Sequence, residues 1–133
     1  MSSTSTKTEV STLLQAYASA LSASSTSKVM DLYTTDAVFM PQNFTTIEGH
    51  AAIKETYEKI FDTIALDVTM DVKEVHSFDD EWAFARTTTA GIQKVLKTGE
   101  TSKEGNQELF VCQKVDGSWK MARYCFCSTN PPK

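Results

Sequence analysis

Apolar residues recur every three or four positions from Val10 through Leu13, Leu14 and Tyr17 to Leu21, whereas from Leu66 through Val68 and Met70 to Val72 they recur at every second position. The first spacing lines one face of a helix and the second one face of a strand. Thr6 and Glu9 stand in capping-box spacing ahead of the first stripe, which predicts a helix beginning there. Ser22 to Ser27 is a small polar break, and Ser27 is placed to cap a short second helix that turns Val29, Leu32 and Tyr33 inward. Asp36 opens an extended segment over Ala37 to Met40, ended by Pro41, which cannot donate to a ladder. Gln42 to Glu48 reads as a loop or short hairpin, and Gly49 leads into a third helix with Ile53, Tyr57, Ile60, Phe61 and Ile64 on its apolar face.

The two-residue alternation from Leu66 loses parity between Val72 and Val75, the mark of a bulge that lets a sheet curve. Further strands are predicted over Trp82 to Val95, Gln107 to Val115 and Ser118 to Cys127. Asp116-Gly117 is a hairpin signal between the last two, and Asp79-Asp80 and the stretch from Gly99 to Gly105 supply the other turns. Three helices followed by antiparallel strands predict an α+β fold with helices packed on one face of a meander.

With 133 residues, 41% of them apolar, the chain suits one domain around one core. The predicted domain runs over 9–128, after a disordered start at 1–8 and before a short tail at 129–133. A net charge of -4 without clustered Lys and Arg argues against nucleic acid as a partner. No stretch approaches the roughly 18 consecutive apolar residues of a membrane span, and Met1 to Thr8 carries no export signal. The odd set Cys112, Cys125 and Cys127 has no disulfide-framework spacing and suits a reducing compartment, so a soluble cytoplasmic protein is expected.

Several short segments, in order, resemble the SnoaL-like and ketosteroid-isomerase-like branch of the NTF2-like superfamily. They are Leu14-Gln15-Ala16-Tyr17, Leu32 to Phe39, Ile47-Glu48-Gly49-His50-Ala51-Ala52-Ile53, Glu108-Leu109-Phe110-Val111 and Asp116 to Tyr124. The resemblance spans Val10 to Phe126 and implies a cone: three N-terminal helices packed on a strongly curved, mostly antiparallel sheet. It also implies a pocket open at one end for a small apolar molecule, and often a homodimer. Such folds host isomerases, cyclases, dehydratases and proteins that only bind, so function has to be sought in individual residues.

Tyr17, Tyr33 and Tyr57 match the three linked tyrosines that some ketosteroid isomerases place beside the substrate carbonyl, with Tyr17 as the oxyanion donor. A chain of hydrogen bonds polarises its end member, which favours charge developing on the oxygen. Three inward tyrosines are equally compatible with an ordinary core whose hydroxyls are satisfied. Glu108 falls where those isomerases hold a protonated aspartic acid, and burial beside Phe110 and Cys112 would raise its pKa. Strand alternation groups Arg86 with Trp82, Phe84, Thr88, Ala90 and Ile92, and the resemblance places that side inward. An inward Arg86 would pair with Glu108 and hold it ionised, as a general base, a polar anchor or a structural ion pair.

The aspartate that shuttles the proton in those isomerases, just before a proline, is absent: Met40 precedes Pro41. Glu108, Glu48 and His50 are the replacement bases to consider, against an exposed histidine at the start of the third helix. Met40, Phe61, Thr88, Phe110, Tyr124 and Phe126 complete the expected lining together with Tyr33 and Tyr57. No metal site is expected, because Cys125 and Cys127 lack a paired Cys-x-x-Cys, and no cofactor-binding motif occurs. Trp119, Met121 and Arg123 share one face of the last strand and suit a dimer surface. Two functions follow from this reading: a cofactor-independent isomerase, cyclase or dehydratase acting on an apolar carbonyl compound, or a non-catalytic ligand-binding or dimeric adaptor module.

Overall fold

The computed structural model describes residues 3–130, so the outermost parts of the expected disordered start and tail lie outside the described residues. Helix α1 (Ser3–Ser22) begins ahead of the capping-box position, so Thr6 lies inside it, buried, rather than at its cap, and Ser3 to Thr8 are helical. A short α2 (Thr26–Met30) is capped two residues earlier in the break than expected: the Ser25 hydroxyl, not that of Ser27, accepts from the Lys28 amide. β1 (Tyr33–Met40) starts as soon as α2 ends, and β2 (Ile47–Glu48) folds back on it, pairing with Val38 and Phe39. α3 (His50–Thr63) buries Ile53 and Tyr57, and Ile64 passes without a loop into β3 (Ile64–Ser77). β4 (Trp82–Val95), β5 (Thr101–Val115) and β6 (Ser118–Ser128) complete the chain.

The six strands form one open sheet in the order β2-β1-β6-β5-β4-β3, an NTF2-like α+β cone. All neighbours are antiparallel except β1 and β6, which run parallel, the chain passing from one to the other through α3 and four strands. Asp116 and Gly117 both adopt positive φ, the type I′ geometry that suits the twist of a two-residue hairpin, and Val115 faces Ser118 across it. β5 begins at Thr101, so most of the stretch expected as a turn up to Gly105 is strand, paired along β4.

Curvature comes from irregular register. The ladder shifts between Val72 and Glu74, where the lost parity predicted a bulge, and again between Val111 and Cys112 against β6. At Gly91 the sheet curls so tightly that a Cβ would stand 2.0 Å from the Asp67 carbonyl oxygen, a position only glycine can fill.

The concave face packs on α1 and α3. Its core is a file of stacked rings: Phe110 on Tyr124 (centroids 4.2 Å), Tyr124 on Phe39 (5.2 Å) and Phe39 on Tyr57 (5.3 Å). Tyr17 meets Phe110, Tyr124, Tyr33 and Tyr57 edge-on. Each such pair adds about 0.5–1.5 kcal/mol beyond the area it buries. On β4 the inward residues are the small ones, Ala83, Ala85, Thr87 and Thr89. Trp82, Phe84, Arg86, Thr88, Ala90 and Ile92 therefore point outward, the reverse of the expected assignment. A one-residue error of parity transfers every side chain to the other face.

The bulge opposite Val111 has a similar effect on β6. Trp119 and Met121 point inward before it and Tyr124 after it, so residues of opposite parity are all buried. Trp119 and Met121 are thus core residues and not a dimer surface. Arg123 alone of that set faces outward, donating to the carbonyls of Asp36 and Ala122.

Candidate functional site

A cavity of about 720 Å³ opens between α1, α3 and the curved sheet. Its inner end is formed by Tyr17, Phe39, Tyr57, Glu108 and Tyr124, all buried, and Phe44, Lys59 and Thr63 surround the mouth. Leu21 of α1, Ile60 of α3, Ile64, Leu66 and Val68 of the α3–β3 run and Phe126 of β6 supply its apolar lining. Thr89, Gln93, Glu104, Asn106 and Glu108, from the paired strands β4 and β5, add a polar strip between them.

Glu108 is the pivotal group. It is 4% exposed, and its position on β5 faces Thr87 of β4 directly across the ladder. The Thr87 hydroxyl donates to Oε1 at 2.5 Å and the Thr89 hydroxyl to Oε2 at 2.7 Å. Burial raises the pKa of the carboxyl, and the two threonine hydrogen bonds pull partly against that rise by favouring the ionised form. Such a group is poised to exchange a proton nearer neutrality than a solvated glutamate.

The three tyrosines meet as their positions implied. Tyr57 stands at the centre, with its hydroxyl 2.6 Å from that of Tyr17 and 2.8 Å from that of Tyr33. Tyr17 and Tyr57 line the cavity, while Tyr33 supports Tyr57 from behind. Burial raises the pKa of all three and of Tyr124, so each hydroxyl keeps its proton and acts as a neutral donor. The charge of neighbouring Glu108 adds to the rise at Tyr17 and Tyr124.

Arg86 is elsewhere. Its side chain is 55% exposed on the convex face, where Nε donates to Glu74 Oε2 at 2.7 Å. That pairing, aided by His76, holds the Glu74 carboxyl below its usual range. Glu108 consequently has no arginine partner. Thr88 shares the convex face, and Met40 also points away from the cavity, since the alternation of β1 turns Phe39 inward in its place.

Of the remaining expected residues, Tyr124 and Phe126 line the cavity, whereas Phe110 lies beneath Tyr124 and Phe61 packs beside Tyr57 without reaching the space. His50 Nε2 donates to the Met30 carbonyl at 3.0 Å and ties α3 to α2, and Glu48 is exposed, so neither supplies a base. Cys112 is buried, its thiol pushed up to about 12. The sequence reading missed Thr87 and Thr89 through the parity of β4, although Glu108 opposite a Thr-x-Thr pair was a legible signal. It missed Glu104, which fell in the stretch taken as a turn, and Asn106, which fell just ahead of the strand expected from Gln107.

The chain matches the calcium/calmodulin dependent protein kinase II association domain family over residues 6–130. No curated protein matches. Among solved structures, a ketosteroid isomerase-like protein from Erwinia carotovora atroseptica SCRI1043 is 31% identical, with 93% of this chain and 96% of that one covered and a TM-score of 0.89. A candidate calcium/calmodulin dependent protein kinase II association domain from Xanthomonas campestris is 22% identical, covering 93% and 88% of the two chains at a TM-score of 0.79. A candidate scytalone dehydratase from Novosphingobium aromaticivorans shares the fold at 18% identity, 92% and 83% coverage and a TM-score of 0.80. With the cone, its tyrosine chain and its buried glutamate on β5 in place, these matches establish that the chain belongs to the calcium/calmodulin dependent protein kinase II association domain family of NTF2-like proteins.

Proposed function

We propose that the cavity is an acid–base site for a small, mostly apolar carbonyl compound, of the isomerase, cyclase or dehydratase type. Glu108 carries the proton, and Tyr17, braced by Tyr57 and behind it Tyr33, donates to the carbonyl oxygen as negative charge develops there. The observation that carries this reading is the carboxyl of Glu108 at the inner end of a largely apolar cavity, held by two hydroxyls and free of any basic partner among the described residues. A base removing a proton next to a carbonyl needs a pKa near the working pH, and burial moves Glu108 that way. The 31% identity to a ketosteroid isomerase-like protein supports the same class.

One observation favours a second reading. β1 presents Phe39 to the cavity and no acid, so the site has a single carboxyl at its inner end where the isomerases carry two. Together with the association-domain match, this supports a module that binds a ligand and self-associates. The convex face of the sheet, where Leu109 is 44% exposed between Arg86 and Cys125, is the surface we assign to a second copy.

The test uses 2-naphthol, a phenol that mimics an enolate, and 2-tetralone, a ketone with exchangeable α-hydrogens. The acid–base reading expects 2-naphthol to bind the wild type more tightly than Tyr17→Phe or Glu108→Gln, and expects deuterium exchange into bound 2-tetralone that Glu108→Gln abolishes. Binding without exchange would leave the binding module, and affinity unchanged in both variants would remove the oxyanion site.

A further inference from the structure

The polar strip extends beyond Glu108. Glu104, Asn106 and Glu108 are alternate residues of β5, all turned to the cavity, so they form a row with about 7 Å between successive Cα positions. Asn106 Nδ2 donates to Glu104 Oε1 at 3.1 Å, which fixes the amide and leaves Asn106 Oδ1 and Glu104 Oε2 as acceptors. Gln93 of β4 joins them on the same strip. No ion pair to Glu104 forms among the described residues, although Lys59 lies across the mouth, engaged with Glu55. Phe126 flanks Glu108 on β6 and Leu66 flanks Gln93 on β3, while Leu21 of α1 and Ile60 of α3 line the cavity from the helices together with the polar Thr56, Lys59 and Thr63. Acceptors set in a row along one strand of a largely apolar cavity are complementary to a flat ligand whose polar groups lie along one edge, the second of them a hydrogen-bond donor.

We propose that Glu104 and Asn106 form a second recognition point, which selects apolar ring compounds bearing a hydroxyl on the edge shared with the carbonyl, on the side away from it. The proposal rests on the reading that the carbonyl end lies at Glu108 and Tyr17. It narrows the substrate class from carbonyl compounds in general to hydroxylated ones.

Two probes of nearly equal size separate the possibilities by calorimetric titration. 2,7-Dihydroxynaphthalene carries the second donor on the same edge, and 7-methoxy-2-naphthol replaces it with a group that can only accept. The wild type is expected to prefer the diol by about tenfold, the effect of one hydrogen bond to a carboxylate or amide. In Glu104→Leu and Asn106→Leu that ratio falls to about one, and in Glu108→Gln it persists while both affinities drop. Equal binding of the two probes by the wild type overturns the second recognition point, as does a preference retained in both leucine variants. Because the wild-type ratio is decisive alone, misfolding of a variant does not shelter the proposal. Equal binding of the two probes by the wild type, with both affinities still dropping in Glu108→Gln, defeats only this inference, whereas an unaffected Glu108→Gln defeats the reading beneath it.

Discussion

Two glutamates on this sheet, Glu108 on β5 and Glu74 on β3, meet opposite environments. Glu108 faces the concave side, buried, with only the neutral hydroxyls of Thr87 and Thr89 as partners, and its carboxyl is pushed up. Glu74 lies on the convex side against Arg86 and His76, and its carboxyl is pulled down. The side of the sheet, more than the residue type, decides which of the two can do chemistry: one is a stored proton in a slot, the other a solvated ion pair of small energetic weight.

The sharpest way to break this contrast is to reverse a face. Ala85→Arg places a charge in the fully buried concave layer without a partner and should cost about 4 kcal/mol or more, or prevent folding, in urea denaturation. Thr88→Arg, three residues along on the convex face, should leave the urea midpoint nearly unchanged. Equal costs at the two positions would refute the assigned parity of β4.

A smaller effect is expected from Thr87→Val, which keeps the shape but removes one donor from Glu108. The loss should be about 1.5–3 kcal/mol at a pH where Glu108 is ionised, and should shrink as the pH falls and the carboxyl protonates. Stability curves measured at two pH values on either side of that titration check it.

The two glutamates also predict pH dependences of opposite sign. The folded pKa of Glu108 is raised, so the folded state holds the proton more tightly; its contribution is full below the unfolded value near 4.5 and is lost as the pH rises through the folded pKa. The folded pKa of Glu74 is lowered, so its contribution is present above the unfolded value and lost as the pH falls through the folded pKa. Melting temperature against pH for Glu108→Gln should therefore gain on the wild type as the pH rises, while Glu74→Gln should lose the more weakly, and less in high salt. Smallest of all is Arg86→Ala, which should leave affinity for 2-naphthol unchanged, since Arg86 lies outside the cavity.

The sequence exposed those parts of the molecule where period and turn chemistry coincide. The α3 stripe, the bulge after Val72, the bounds of β4 and the Asp116-Gly117 hairpin are all set by local pattern, and tertiary packing agrees with it. The tyrosine chain was legible because Tyr17, Tyr33 and Tyr57 occupy positions shared with a known family. The faces of β4 were not, since the aromatic residues suggested the core side while the strand buries its Ala and Thr residues instead. Nor was the mixed parity of β6, which depends on a bulge that no residue of the strand announces. The stretch from Gly99 to Gly105, which takes in the start of β5, read as a turn between its glycines; its inward Glu104, like the neighbouring Asn106, is polar because it lines a cavity and not a packed core.

The most direct measurement is a carbon-13 NMR titration of the glutamate side-chain carboxyls, with Glu108→Gln assigning the resonance that disappears. One carboxyl should titrate above all the others, and 2-naphthol should displace its signal. If every glutamate titrates together at the ordinary value, or the Glu108 resonance ignores the ligand, the buried acid at the inner end of the cavity is not the group on which this site turns.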